Sequence, residues 1–272
     1  MRALPLLFYA ASAAAYGAHF AWRDGRVGRL ATGLLATGLL THTFLIGMQT
    51  VQAGHAPLVG TTAAISAFVW LLGLSYLYVE LTSDERSMGL FVTVLLVALA
   101  IIPAFDGGIS QRPALLRSPL FTVHVMAMLF AYASFALASV LGVTYVLLFK
   151  EIKAKDLGVF YTRLPSLGVL DVMNGRAVAV GWIFLTIGLI VGGIWASQVQ
   201  GSTDPRAQHM SLADPKILVA IFSWAVYSFA LYARRAIGWN GRRAALLSAA
   251  GFAIVLLNFI PVGYFLTRSH NF

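Results

Sequence analysis

The chain has 272 residues, 59% of them apolar and only 11% charged, and it contains no cysteine. Disulfides, thiol redox chemistry and thiolate metal sites are thereby excluded. A formal charge of +9 would point to nucleic acid in a soluble protein, but long charge-free runs assign the basic residues to loops that flank membrane spans. A hydrocarbon core about 30 Å thick needs about 20 apolar residues per helix. The apolar runs are continuous rather than alternating, which excludes a β-barrel. The sequence reads as an all-α, polytopic integral membrane helical bundle of about eight transmembrane helices, a single membrane domain over residues 1–272 with no soluble domain.

Spans are expected at 3–22, 29–50, 61–82, 88–105, 119–149, 176–199, 216–235 and 244–267. Only Arg2 precedes the first apolar run, whereas Arg23, Arg26 and Arg29 follow it. That is the wrong charge order for a secretory signal and the right one for a retained helix with its N-terminus outside. The second span carries His42 and the third Glu80; ionisable groups inside a span are costly unless they pair or ligate. The fifth span, about 30 residues or about 45 Å long, must tilt or project past the membrane at its basic end, Lys150, Lys153 and Lys155. An inner loop is expected over 150–175, broken at Leu164-Pro165-Ser166 and at Asn174-Gly175. Gly188 and Gly192 in the sixth span, four residues apart, suit close helix packing. An outer loop over 200–215 carries Gly201-Ser202, Asp204-Pro205 and Asp214-Pro215.

Thirteen of the nineteen Lys and Arg residues fall on one side of these spans, from Arg23, Arg26 and Arg29 through Arg86 and Arg163 to Arg242 and Arg243. By the positive-inside rule that side is cytoplasmic. Both termini then lie outside, in a multi-pass protein of the cell inner membrane.

Five of the six histidines fall on the outer side: His42, His55, His124, His209 and His270, with His19 at the inner end of the first span. His124 lies about five residues, so roughly 7 Å, below the outer end of the fifth span, and His270 just beyond the eighth. Neither H-E-x-x-H nor an i, i+4 histidine pair is present, as a helical zinc site would require. Two axial imidazoles from separate helices against an aromatic slot suit haem better, with Arg112, Arg117, Arg206, Lys216 and Arg268 on the same side for its carboxylates. Taken singly, the same residues have ordinary uses. Trp195 fits an interfacial belt, Asp214-Pro215 fits an N-cap followed by a first-turn proline, and Tyr76, Tyr78, Phe130, Tyr132 and Phe135 fit core or lipid-facing positions.

The order of motifs carries more. Gly192-Gly193-Ile194-Trp195-Ala196, an outer loop, Asp214-Pro215-Lys216 opening a span, then Ser223-Trp224-Ala225-Val226-Tyr227 and Leu231-Tyr232-Ala233-Arg234 together resemble the cytochrome c assembly membrane protein family of CcsA, CcmC and HemX type. The resemblance covers about residues 60–272. It implies a haem-handling protein that presents non-covalent haem b at the outer face, with His124 and His270 as axial ligands to the iron. Trp195, Asp214 and Lys216 match the borders of the family's outer loop, and Arg206, Arg117 and Lys216 would meet the propionates. The implied partners are haem, other cytochrome c assembly membrane proteins or a cytoplasmic partner at 150–175, and membrane lipid, with no nucleic acid. The implied role is that of an assembly component rather than a stand-alone catalyst.

Three departures point to the eight-span HemX-like branch. No tryptophan lies between Trp195 and Trp224, Ile217 stands where the family has glutamate, and Tyr232 stands where synthase members place a histidine. Two further readings stay open: a non-enzymatic regulatory or scaffold protein without haem, and a small-molecule transporter. The transporter ranks third, because few ionisable groups lie in the spans and no matched pair of interrupted helices is present.

Overall fold

The computed structural model describes residues 2–58, 60–105, 116, 118–155, 158–199 and 215–257. These form helices and no strand: α1 (Leu4–Trp22), α2 (Gly25–Ala53), α3 (Thr61–Ser83), α4 (Gly89–Phe105), α5 (Pro119–Ala154), α6 (Val159–Arg163), α7 (Leu167–Val199), α8 (Pro215–Tyr232) and α9 (Arg242–Leu257). A π-helical turn, Ala233–Ile237, extends α8. Among them α2, α3, α5, α7 and the extended α8 are each long and apolar enough to cross a membrane, and α4 is a shorter apolar helix. The chain is a multi-pass helical membrane protein, as its composition requires.

Helix α5 is the central pillar. Every residue from Ala131 to Ala138 is buried, and a helix apolar on all sides is one surrounded by others. It packs against α7, α9 and α3, while α1 packs against α2 and α4, and α3 joins the two groups. Small residues permit the closest approaches. A Cβ on Gly181 would lie 2.5 Å from the Phe135 ring, and one on Gly142 would lie 2.6 Å from the Ala245 carbonyl oxygen.

The turns at 23–24, 84–88, 158–166 and 238–241 share the end of the bundle rich in Arg and Lys, called here the basic end. In the first, Arg23 adopts a left-handed conformation (φ 57°) and Asp24 caps α2 by accepting the Arg26 N–H. His19 Nδ1 donates to the Asp24 carbonyl at 2.8 Å, so this histidine closes a turn. In the last, Gly241 (φ 63°) brings backbone within reach of Tyr145: an added Cβ would stand 2.6 Å from the tyrosine oxygen.

The expected inner loop 150–175 is mostly helix. α5 continues to Ala154 and α7 begins at Leu167, so only residues 155–166, with α6 inside them, connect the two. Glu151 holds this connector by accepting the Tyr161 N–H at 2.8 Å. The break at Leu164-Pro165-Ser166 is real, but Asn174-Gly175 lies inside α7. The polar character there reflects a buried network rather than a loop. Asn174 Nδ2 donates to the Ala138 carbonyl at 2.7 Å, and its Oδ1 accepts from Ser248 Oγ at 3.0 Å. Arg234 makes a two-pronged pair with Asp171, at 2.9 and 3.1 Å, and Asp171 Oδ1 also accepts the Gly241 N–H at 2.9 Å. One carboxylate thus ties α7 to the π-helical turn and to the start of α9.

Candidate functional site

At the end opposite the basic turns, α5, α7 and α8 present the expected site residues that fall within the described structure. The α7–α8 register is set by two indoles. Trp182 Nε1 donates to Ser228 Oγ at 2.7 Å, and Trp224 Nε1 donates to Thr186 Oγ1 at 2.9 Å, which fixes the helices as antiparallel neighbours. Carried toward the carboxyl end of α7, that register sets Trp195 level with the first turn of α8, where Lys216 is half-buried.

His124 sits on α5 against the glycine face of α7. Its Nδ1 lies 2.8 Å from the Gly188 carbonyl oxygen. A carbonyl only accepts, so Nδ1 carries the proton and Nε2 is the basic nitrogen of the neutral ring. The approach depends on Gly192, where an added Cβ would lie 2.5 Å from Nδ1 and 2.6 Å from Cε1. Gly188 and Gly192 do pack helices together, and what they admit is this imidazole together with Met128, whose sulfur would lie 2.7 Å from a Cβ on Gly188. The spacing of these glycines was visible in sequence; that His124 meets them was not, because nothing local aligns α5 with α7.

Trp195 is buried, at 4% exposure, in a small cluster with Leu116 and Phe121 that is separate from the main core. Its ring tilts against Phe121 at a centroid distance of 5.0 Å. Among the described residues its buried Nε1–H has no hydrogen-bond partner, in contrast to Trp182 and Trp224. An interfacial-belt tryptophan would put that N–H in contact with water or headgroups, so the belt reading does not describe Trp195. Sequence reasoning missed Phe121, whose only signal was its place one turn before His124.

The remaining expected residues separate into two sets. His270, Asp214, Arg206 and Arg117, with His209, lie outside the described residues. His42 is described and is 3% exposed, but both of its nitrogens are engaged: Nδ1 with Tyr9 Oη at 3.0 Å and Nε2 with Ser66 Oγ at 2.9 Å. It pairs across α1, α2 and α3 and offers no lone pair for a metal. His55 bonds locally to the Ala56 carbonyl at 3.2 Å. Among the described residues no group of three or more His, Cys, Asp or Glu could hold a metal ion. Of the resemblance motif, Tyr227 is core: it stacks on Phe135 at 3.6 Å between centroids. Tyr232 is 61% exposed.

The site chemistry fits haem in two respects. An imidazole whose Nδ1–H is held by a backbone carbonyl is the usual form of a metal-ligating histidine, and a buried indole N–H lacking an acceptor suits a carboxylate supplied from outside the fold.

Fold and site together define a polytopic membrane protein with an oriented histidine at one end of its central helix pair. The family model described as cytochrome C assembly protein matches residues 4–270; the chain belongs to that family. The match begins well upstream of residue 60, so α1 and α2 are part of the family fold. Relatives named cytochrome c biogenesis protein CcsA include one from Guillardia theta, 27% identical over 256 residues, covering 86% of this chain and 82% of the relative. One from Synechococcus sp. (strain CC9311) is 26% identical over 303 residues, covering 99% and 93%. One from Chlorella vulgaris is 26% identical over 276 residues, covering 89% and 85%.

Proposed function

We propose that this protein acts in cytochrome c assembly by holding haem b non-covalently at the outer face of the cell inner membrane, with His124 as one axial ligand. The observation that supports this reading is the Nδ1–H of His124 held by the Gly188 carbonyl, the kind of hydrogen bond that orients a ligating imidazole. His270 is the proposed second ligand. Trp195, with its unpartnered N–H, together with Lys216, Arg206 and Arg117, would serve the propionates, and Asp214 would set the start of α8. When bound, haem supplies an iron centre whose axial bonds come from imidazoles and whose carboxylates need fixed donors. This chain's part is to orient the ring of His124, to exclude water around Phe121 and Trp195, and to offer cationic and N–H donors. Other cytochrome c assembly membrane proteins are the proposed partners. The exposed Lys150, Lys153 and Lys155 at the end of α5 are the proposed contact for a cytoplasmic partner or anionic lipid.

The test is an optical spectrum of protein purified from haem-replete cells. A Soret band that is lost in His124→Ala supports the reading. A band unchanged in the His124→Ala, His270→Ala double variant removes it, and the absence of any band in the unaltered protein favours the regulatory or scaffold role.

A further inference from the structure

Arg176 on α7 stands in a stripe that faces lipid. Val172, Ile183, Ile187, Ile190 and Ile194 are exposed along that stripe, at the spacing of one helical face. The other faces of α7 are taken. Asn174 and Gly181 meet α5, and Asp171, Gly175 and Trp182 meet α8 and the π-helical turn after it. The depth of Arg176 follows from two bonds. Ser75 of α3 pairs with Ser134 of α5 at 2.7 Å, and Asn174 reaches Ala138 one turn nearer the basic end. Arg176 is therefore level with Ala136, roughly 26 Å along α5 from Pro119, where a hydrocarbon layer about 30 Å thick nears its limit. Tyr78 on α3 and Tyr232 on α8 are exposed close to the same level, as is usual where hydrocarbon gives way to headgroups. Other ionic groups of the bundle are answered from inside it. The shell of Glu80 on α3 is Tyr16 of α1, Thr32 of α2 and Arg86 of the α3–α4 turn, while Asp171 and Arg234 hold one another. Arg176 enters no ion pair among the described residues, and there its buried Nη1 has no hydrogen-bond partner.

An arginine that only snorkels keeps its charged head in water. Arg176 instead turns one donor inward, on a face where its helix neighbours are aliphatic. A cation in a span is costly unless something answers its charge, and the nearest acid on its own helix, Asp171, is already committed to Arg234 and the Gly241 N–H. The missing acceptor must therefore come from outside the chain, at headgroup depth and on a lipid-facing stripe. A phosphodiester meets all three demands, because a guanidinium fork grips phosphate oxygens in pairs. We propose that Arg176 anchors an anionic phospholipid of the basic-end leaflet, binding its phosphate while an acyl chain runs along Ile183 and Ile187 toward the middle of the membrane. The absence of an internal countercharge favours an anionic lipid over a zwitterionic one. This site lies on the flank of α7, apart from the exposed lysines at the end of α5, and it rests neither on haem nor on the outer-face residues.

Native mass spectrometry of the full-length protein tests it, after delipidation in detergent and titration with phosphatidylglycerol, phosphatidylcholine or inorganic phosphate. The first phosphatidylglycerol should bind more tightly than phosphatidylcholine, and Arg176→Gln should weaken it about tenfold. Arg176→Lys keeps the charge but not the two-pronged geometry, so its affinity should fall between the two, which keeps the test decisive if Arg176→Gln fails to fold. Arg26→Gln removes the same charge from the same end, on α2, and should leave the first lipid in place. Equal phosphatidylglycerol binding by the unaltered, Arg176→Gln and Arg176→Lys proteins overturns the proposal. Equal weakening by Arg26→Gln does so too, since it reduces the effect to overall charge. Inorganic phosphate displacing the lipid at matched concentration would mark a free-anion site and overturn the lipid assignment. If the site is filled by an acidic residue of a partner helix, no Arg176-dependent lipid binds, and the proposal fails.

Discussion

In the α1–α4 part of the bundle His42 commits both ring nitrogens to neighbouring helices, to Tyr9 and Ser66, whereas in the α5–α9 part His124 gives its Nδ1–H to the Gly188 backbone carbonyl. The residue type is the same and both are embedded in spans. Their surroundings differ in the kind of partner each ring meets. Two side-chain hydroxyls make His42 a strut between helices, while a backbone carbonyl makes His124 an oriented base. The largest expected effect follows from that contrast: His124→Ala should abolish haem absorbance in purified protein, and His42→Ala should leave the spectrum in place. A spectrum lost equally in both variants would erase the distinction.

The next effect concerns what holds the carboxy-terminal part together. Asp171→Ala leaves Arg234 facing Asn174 Oδ1 at 3.4 Å and leaves the Gly241 N–H without its acceptor. Removing one member of a pair whose side chains are only 18% and 19% exposed should cost about 3 kcal/mol, measurable by denaturant unfolding in detergent. The Asp171→Ala, Arg234→Ala double variant should recover part of it. His42→Phe should cost less, about 1–2 kcal/mol, because it strands the buried Tyr9 hydroxyl but no charge.

Gly192→Ala tests the cradle directly. Its Cβ would enter the space of the His124 ring, so haem retention should weaken about tenfold or more while the fold persists. Gly193→Ala, next in sequence, has nothing within 4 Å of an added Cβ and should be silent. Equal spectra for the two variants would mean that the ring relaxes without consequence.

The helices were legible in the sequence because apolar runs of span length have one stable outcome in a bilayer. The starts of the third and fifth helices, at Thr61 and Pro119, agree with that reading. What failed was the segment 164–175, where Asp171, Asn174 and Gly175 look like loop residues until Arg234 and Ser248, more than 60 residues away, supply their partners. Nothing local in a sequence encodes such a pairing. The candidate site was legible in the same uneven way. His124 and Trp195 could be named from motif order, but Gly188 and Phe121 as their neighbours depend on helix register. Glu80 was visible only as an oddity, since its shell comes from α1, α2 and a turn.

The smallest expected effect is the most diagnostic for Trp195. Trp182 and Trp224 each donate a hydrogen bond within the fold, so Trp182→Phe forfeits about 1 kcal/mol of bonding on top of any packing change. Trp195 has no such bond to lose among the described residues. A buried donor without an acceptor is itself a cost of about 1–3 kcal/mol, so in haem-free protein Trp195→Phe should be close to neutral, with the lost ring area offset by removal of the orphan N–H. In haem-loaded protein the same substitution should become destabilising, because the donor would then have met its carboxylate. Unfolding followed by intrinsic fluorescence, with and without haem, compares the two states in one preparation. If Trp195→Phe destabilises haem-free protein as much as Trp182→Phe does, the indole N–H already has an acceptor within the fold, and its assignment to an external carboxylate fails.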